Sequence, residues 1–245
     1  MYLRRAIESV LEQNYDNLEY IIVDPGSVDG SRNIINEYKN NIKKIIFKPD
    51  NSPAEGLNNG FLQATGEIFG YLNSDDVLYP NTLNKVNQYF TDNLTVDIIS
   101  AHGQMINEKG EFLKNIYSHK FDIKQYLYEN CILIQQSTFF KSSIYRLVGG
   151  FNENNCIAWD GELMVDIALA KGKFKVIHDC WSGFRIYEDS ISSGKLYKLK
   201  LSKDYIRLRK KHNFPEISFL NRKVKWLLNW LRQPITLLKR IFYSI

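Results

Sequence analysis

Two adjacent carboxylates, Asp75 and Asp76, close the run Gly-Tyr-Leu-Asn-Ser-Asp-Asp at 70–76, directly after an apolar stretch at 68–72. Like charges this close repel unless a cation sits beside them. Hard oxygen donors favour Mg²⁺ or Mn²⁺, ions that usually arrive with a substrate's phosphates. The pair therefore suits a divalent-metal and nucleotide-diphosphate site. The same residues also fit a turn and an N-cap for a helix starting near Pro80. A second polar group, Asp24, Ser27 and Asp29, lies in Asp-Pro-Gly-Ser-Val-Asp-Gly-Ser at 24–31. A carboxylate such as Asp24 can accept the imide N–H of a uracil ring, and Gly26 and Gly30 permit close backbone approach or positive φ. The loop lacks GxGxxG spacing and a P-loop Lys, and it also reads as a plain turn with a helix cap.

Both groups need a sheet to hold them. The run 18–23, Leu-Glu-Tyr-Ile-Ile-Val, suits a buried parallel strand, with a helix following over 32–39. With a second strand at 68–72, the two loops fall at one sheet edge, beyond the carboxyl ends of the strands. A helix over 2–12 has an apolar face of Leu3, Ala6, Ile7, Val10 and Leu11. Beyond the carboxylates the pattern predicts a helix at 80–90, a strand at 96–101 and a hairpin turning at 108–111. A helix at 123–129 and a strand at 132–140 follow, the latter directing Gln135, Gln136 and Ser137 either at a substrate or at solvent. Trp159, Trp181 and Tyr187 lie in this half, and roughly one of them is expected to touch substrate.

Three runs resemble the family 2 glycosyltransferases of the GT-A fold: 9–31, 48–60 (Lys-Pro-Asp-Asn-Ser-Pro-Ala-Glu-Gly-Leu-Asn-Asn-Gly) and 64–76 (Ala-Thr-Gly-Glu-Ile-Phe-Gly-Tyr-Leu-Asn-Ser-Asp-Asp). The resemblance implies an α/β, Rossmann-like nucleotide-diphospho-sugar transferase fold with a mostly parallel central sheet. It also implies sugar transfer from a nucleotide donor, a UDP-sugar favoured, to an acceptor hydroxyl. By that match Asp24 and Asp29 contact base or ribose, Ser27 lies on the same donor loop, and Asn58 lines the donor pocket. Asp75 and Asp76 hold ribose and metal, with Asn73 where many members carry the first Asp of a DXD motif. A weaker likeness at 151–172 matches Asp160 to the catalytic base, with Trp159 replacing a preceding Glu; one carboxylate in a single displacement implies inversion. Asp160 also suits an N-cap for a helix over 161–171. The run 183–192 resembles a late segment in which Arg185 can neutralise a phosphate, while Tyr187 stands where members often have His. His178 is read as a surface residue at a strand end.

The family begins with a strand ahead of the first helix, between the strands matched here by 18–23 and 68–72. Without it a gap, an unpaired edge or a re-paired sheet is expected. Two readings follow: a longer natural chain that is a bacterial surface-polysaccharide or lipid-linked-glycan enzyme, or a shortened, non-catalytic relative serving as a binding module at the membrane surface. Composition is globular, at 44% hydrophobic and 24% charged residues. Three Cys without CxxC fit a reducing cytosol, and no signal peptide, repeat or eighteen-residue apolar run is evident. The residues divide by character into a GT-A-like domain at 1–192 and a basic helical tail at 193–245. The part at 195–211 has eight basic residues against one acid, and 219–245 interleaves Trp and Leu with six Lys/Arg. Such a tail suits peripheral contact with an anionic membrane at its cytoplasmic face. The alternative is helices packed on the catalytic domain with Lys/Arg snorkelling outward. No motif supports nucleic-acid binding.

Overall fold

The computed structural model describes residues 2–155, 157–188 and 195–215. Helix α1 (Tyr2–Leu11) buries Ala6, Ile7 and Val10. Strand β1 (Ile21–Asp24), helix α2 (Ser31–Glu37) and strand β2 (Lys44–Phe47) form a parallel β-α-β unit. Helix α3 (Pro53–Leu62) starts with Pro53 in its first turn and Ser52 accepting the Glu55 N–H at 3.2 Å. Glu55 in turn accepts the N–H of Asn51, the residue ahead of that cap, at 2.8 Å.

After α3 come strands β3 (Ile68–Phe69) and β4 (Val77–Leu78), helix α4 (Thr82–Asp92), and the hairpin of β5 (Ile98–Ile106) with β6 (Phe112–Ile116). Helix α5 (Ile123–Leu127), β7 (Thr138–Lys141), α6 (Ser142–Leu147), α7 (Trp159–Leu169), β8 (Phe174–Arg185) and α8 (Lys195–Lys211) complete the described elements. The larger sheet has the order β3-β7-β5-β8-β4, with β6 on β5. Its ladders are antiparallel except β5–β8, so the expected mostly parallel sheet is corrected. Parallel pairing belongs to that ladder and to β1–β2.

Two strand expectations also change. The strand at 68–72 shortens to two residues, and 70–76 becomes the connection from β3 to β4. The strand at 132–140 is broken by a 3₁₀ turn at Gln135–Ser137, because Gln136 and Ser137 turn inward to buried partners. Among the described residues no ladder joins β1–β2 to the larger sheet. Glu19 helps tie the two, accepting the N–H groups of Thr65 and Gly66 at 2.6 and 3.2 Å.

An aromatic core lies beneath the connection. Phe61 stacks on Phe69 at 4.6 Å, and Tyr71 meets Phe151 edge-on at 5.6 Å and Trp159 at 5.7 Å. Trp159 and Trp181 are thereby core residues, Trp181 fully buried with its indole N–H on Asp179. Helix α8 joins the same core through Tyr205 and Leu208.

Candidate active site

Asp75 and Asp76 sit at the end of the β3–β4 connection, fixed by the end of β8, by the 3₁₀ turn and by Asn73 of the connection itself. The β4–β8 ladder pairs Val77 with Gly183, which sets Arg185 beside Asp75 and Asp76. The Arg185 N–H donates to Asp76 Oδ1 at 2.9 Å, and its Nε to the Asp75 carbonyl at 2.7 Å. From the 3₁₀ turn, Gln136 Nε2 donates to Asp76 Oδ2 at 2.6 Å, while Gln135 Nε2 holds Asn73 Oδ1 at 3.0 Å. Asn73 Nδ2 reaches Asp76 Oδ2 at 3.4 Å. Asp76 is thus 1% exposed with both oxygens engaged. Burial, reinforced by neighbouring Asp75, pushes its pKa up to about 7. Asp75 is half-buried, and among the described residues only Tyr187 reaches its carboxylate, the phenol donating to Oδ2 at 3.1 Å. Burial and Asp75 push that phenol up to about 12. Neither carboxylate caps a helix: α4 starts after Asn81, with no side-chain cap.

Arg185, expected to neutralise a phosphate, is 3% exposed. Its Nη1 donates to the carbonyls of Asn107 and Glu108 at 2.9 and 3.0 Å, and its guanidinium lies 4.7 Å over the Tyr2 ring. The hairpin turn is thereby fastened behind the acidic pair. Gln135 and Gln136, expected to face an acceptor or solvent, brace that pair instead.

On the β1 side, Asp24 Oδ1 accepts the N–H groups of Gly26 and Ser27, both at 2.7 Å, and Oδ2 takes Arg32 Nε at 3.3 Å. Burial opposes its charge, yet these donors lower its pKa. Asp24 therefore folds its own loop, leaving Ser27 partly exposed and Asp29 at the surface. Asp29 accepts the Ser31 N–H at 3.0 Å, and Ser31 lowers its pKa. Asn58 of α3 uses all four of its hydrogen-bonding positions. Nδ2 donates to the Phe151 carbonyl at 2.9 Å and Glu153 Oε1 at 2.8 Å, while Oδ1 accepts the Tyr145 hydroxyl at 2.6 Å and the Phe151 N–H at 3.0 Å.

Asp160 lies in the first turn of α7, which starts at Trp159, two residues before the expected start, and Asp160 is not its N-cap. Its N-cap is Ala158, without a side-chain cap, and Asn155 shapes the turn before it, Oδ1 accepting the N–H groups of Ile157 and Ala158 at 3.1 and 3.0 Å. Asp160 Oδ1 accepts the Gly161 N–H at 2.7 Å, and burial raises its pKa. Tyr71, Tyr126, Tyr197 and Tyr205 all feel its charge. Tyr71 places the Asp160 neighbourhood four residues from Asp75 along the β3–β4 connection.

The residue that sequence reasoning missed is Glu162. It is buried and accepts Arg207 Nη2 at 2.5 Å, Lys211 Nζ at 2.9 Å, Asn155 Nδ2 at 2.7 Å and Asn152 Nδ2 at 3.0 Å. Burial opposes the charge, but these donors bring its pKa down to about 2. The available signal was a Glu beside the apolar Leu163-Met164-Val165 run, since a charge in such a place needs partners. His178, read as a strand-end residue, sits within β8, its Nδ1 3.3 Å from His102 Nε2.

The donor set around Asp75 is oxygen-only, as Mg²⁺ or Mn²⁺ prefers, and such ions need few protein ligands when a diphosphate supplies others. Asp75 presents an oxygen that no donor reaches among the described residues, while the Asp76 carboxylate is engaged inward. Among the described residues, no three His, Cys, Asp or Glu side chains converge on one point. The residues fit a cation held through Asp75 and shared with a substrate's phosphates.

A sequence profile for glycosyl transferase family 2 matches residues 1–149. An uncharacterized glycosyltransferase of Methanocaldococcus jannaschii is 27% identical over 223 residues, covering 86% of this chain and 76% of its own. Hyaluronan synthase of Pasteurella multocida is 27% identical over 197 residues, covering 80% of this chain but 20% of the synthase. Among solved structures, S. aureus TarS 1-349 in complex with UDP-GlcNAc superposes with TM-score 0.65 at 16% identity, over 92% of this chain and 69% of that one. The mannosyltransferase PcManGT from Pyrobaculum calidifontis, in complex with GDP-Man and Mn²⁺, gives TM-score 0.64 at 18% identity, over 89% and 61%. These likenesses establish the α/β GT-A fold.

Proposed function

As the chain belongs to glycosyl transferase family 2, we propose that it moves a sugar from a nucleotide donor, a UDP-sugar favoured, to an acceptor hydroxyl with inversion and with Mn²⁺ or Mg²⁺. The observation that carries this is the half-buried Asp75 carboxylate, fixed at the end of the β3–β4 connection with one oxygen left for a ligand. A bound cation would offset charge on the departing diphosphate. Asp75 holds that cation, and Asp76 with Arg185, Gln136 and Asn73 keeps Asp75 in place. Ser27 and Asp29 meet the nucleoside, on a loop that Asp24 shapes. Asn58 positions the segment leading to Asp160. Asp160 takes the acceptor hydroxyl's proton, and its burial makes it a stronger base than an exposed carboxylate. The ligands named for the solved neighbours, UDP-GlcNAc and GDP-Man with Mn²⁺, support this assignment.

The process is proposed to be bacterial surface-polysaccharide or lipid-linked-glycan synthesis, in keeping with the hyaluronan and chondroitin synthases among the relatives. Among the described residues no helix is long and apolar enough to cross a membrane. The stretch at 219–245, proposed for peripheral contact with anionic lipid at the cytoplasmic face, lies outside the described residues. Calorimetric titration of UDP with and without Mn²⁺, on this chain and on Asp75→Ala, tests the assignment. Metal-dependent binding that vanishes in the variant supports it; a folded chain that does not bind UDP overturns it and favours a non-catalytic binding module.

A further inference from the structure

Tyr187 is the one side chain among the described residues that touches the Asp75 carboxylate, and it does so through a donor. A protonated phenol on Oδ2 leaves Oδ1 as the open coordination point. The ring is itself held: it packs on Tyr2 at 5.1 Å, and Tyr2 lies under the Arg185 guanidinium at 4.7 Å. Arg185 in turn grips the Asp75 carbonyl and two hairpin carbonyls, so phenol and carboxylate share one rigid support. On the reading of Asp75 as the cation's ligand, we infer that Tyr187 is a positioning residue that restricts Asp75 to one-oxygen coordination and so sets the site's preference for small octahedral ions over Ca²⁺. Mg²⁺ demands near-ideal octahedral geometry, whereas Ca²⁺ readily accepts a carboxylate through both oxygens. Holding one oxygen back therefore disfavours the larger ion. Partners that orient a metal ligand are typically worth 10–100-fold in metal affinity.

The test is titration of Mn²⁺ and, separately, Ca²⁺ into the full chain saturated with UDP, for the parent, Tyr187→Phe and Tyr2→Leu. Tyr187→Phe removes the hydroxyl alone, and a thermal melt checks that each variant folds. The expected result is Mn²⁺ affinity weakened about tenfold in Tyr187→Phe while Ca²⁺ affinity holds or rises, narrowing the Mn²⁺/Ca²⁺ preference by at least that factor. Tyr2→Leu, which loosens the ring but keeps the hydroxyl, narrows it less. Unchanged affinities in Tyr187→Phe, or equal weakening for both ions, overturn the inference while leaving the donor site intact. Loss of cation-dependent UDP binding in Asp75→Ala together with an unaltered preference in Tyr187→Phe separates the two readings. A parent chain that binds UDP equally well without cations overturns both.

Discussion

At the scale of single residues, the two aspartates do different work. Asp75→Ala should abolish metal-dependent UDP binding with little change in melting temperature, because among the described residues only one hydrogen bond to its carboxylate is lost. Asp76→Ala should leave the Arg185 N–H and the Gln136 amide without a partner in a buried setting. That costs about 2 kcal/mol, or a melting temperature lower by roughly 4–8 °C, measurable by calorimetry without any ligand. The acidic pair was legible in the sequence because adjacent carboxylates after an apolar run are unusual and chemically pointed. Their division of labour was not legible. It depends on Gln136, which is sixty residues away in sequence and reaches Asp76 only when the chain turns inward at Gln135–Ser137. Arg185 likewise reads as a free cation until the β4–β8 register sets it against carbonyls.

At the scale of elements, α7 and α8 behave as a clamped pair around Glu162. Its folded pKa of about 2 lies below the ordinary 4.5. A depressed acid stabilises the fold above its unfolded pKa, and that contribution disappears as pH falls from about 4.5 toward 2. Glu162→Gln should therefore lower stability near neutral pH by about 2–3 kcal/mol, reduced from a fully buried value because Arg207 and Lys211 are 40% and 44% exposed. The gap between variant and parent should close in acid; melts between pH 7 and pH 3 check this. Gly161 gives a sharper case. A Cβ there would lie 1.5 Å from the Tyr126 hydroxyl, so Gly161→Ala should displace α5 or α7 and melt well below the parent, with partial recovery in Gly161→Ala/Tyr126→Leu. Most helices were readable from periodicity, α1 and the start of α5 nearly to the residue. Strand pairing was not, since antiparallel partners such as β3 and β7 are set by packing across the sheet rather than by local pattern.

At the scale of the whole molecule, the change in residue character near 192 does not coincide with a change in packing. Tyr205 and Leu208 of α8 are buried in the same core as Phe69 and Trp159, and Asp204 accepts the Ala158 N–H at 3.3 Å. A chain ending at 192 should therefore lose cooperative unfolding, whereas one ending at 215 should keep it; calorimetric melts of both would show the difference. The basic composition of α8 hid this, because Arg207, Arg209 and Lys211 read as solvent-facing charges until their inward partners Glu162 and the Leu127 carbonyl are known. The saturated amide of Asn58 has a consequence for how the molecule moves. It rivets α3 to the backbone of Phe151, to Glu153 and to Tyr145, and Ser52 adds a bond to the Glu153 carbonyl at 3.0 Å. On the proposed assignment, this bracing would set the spacing of leaving group and attacking oxygen before either arrives, and the amides of 150–153 should exchange with solvent in step with those of α3.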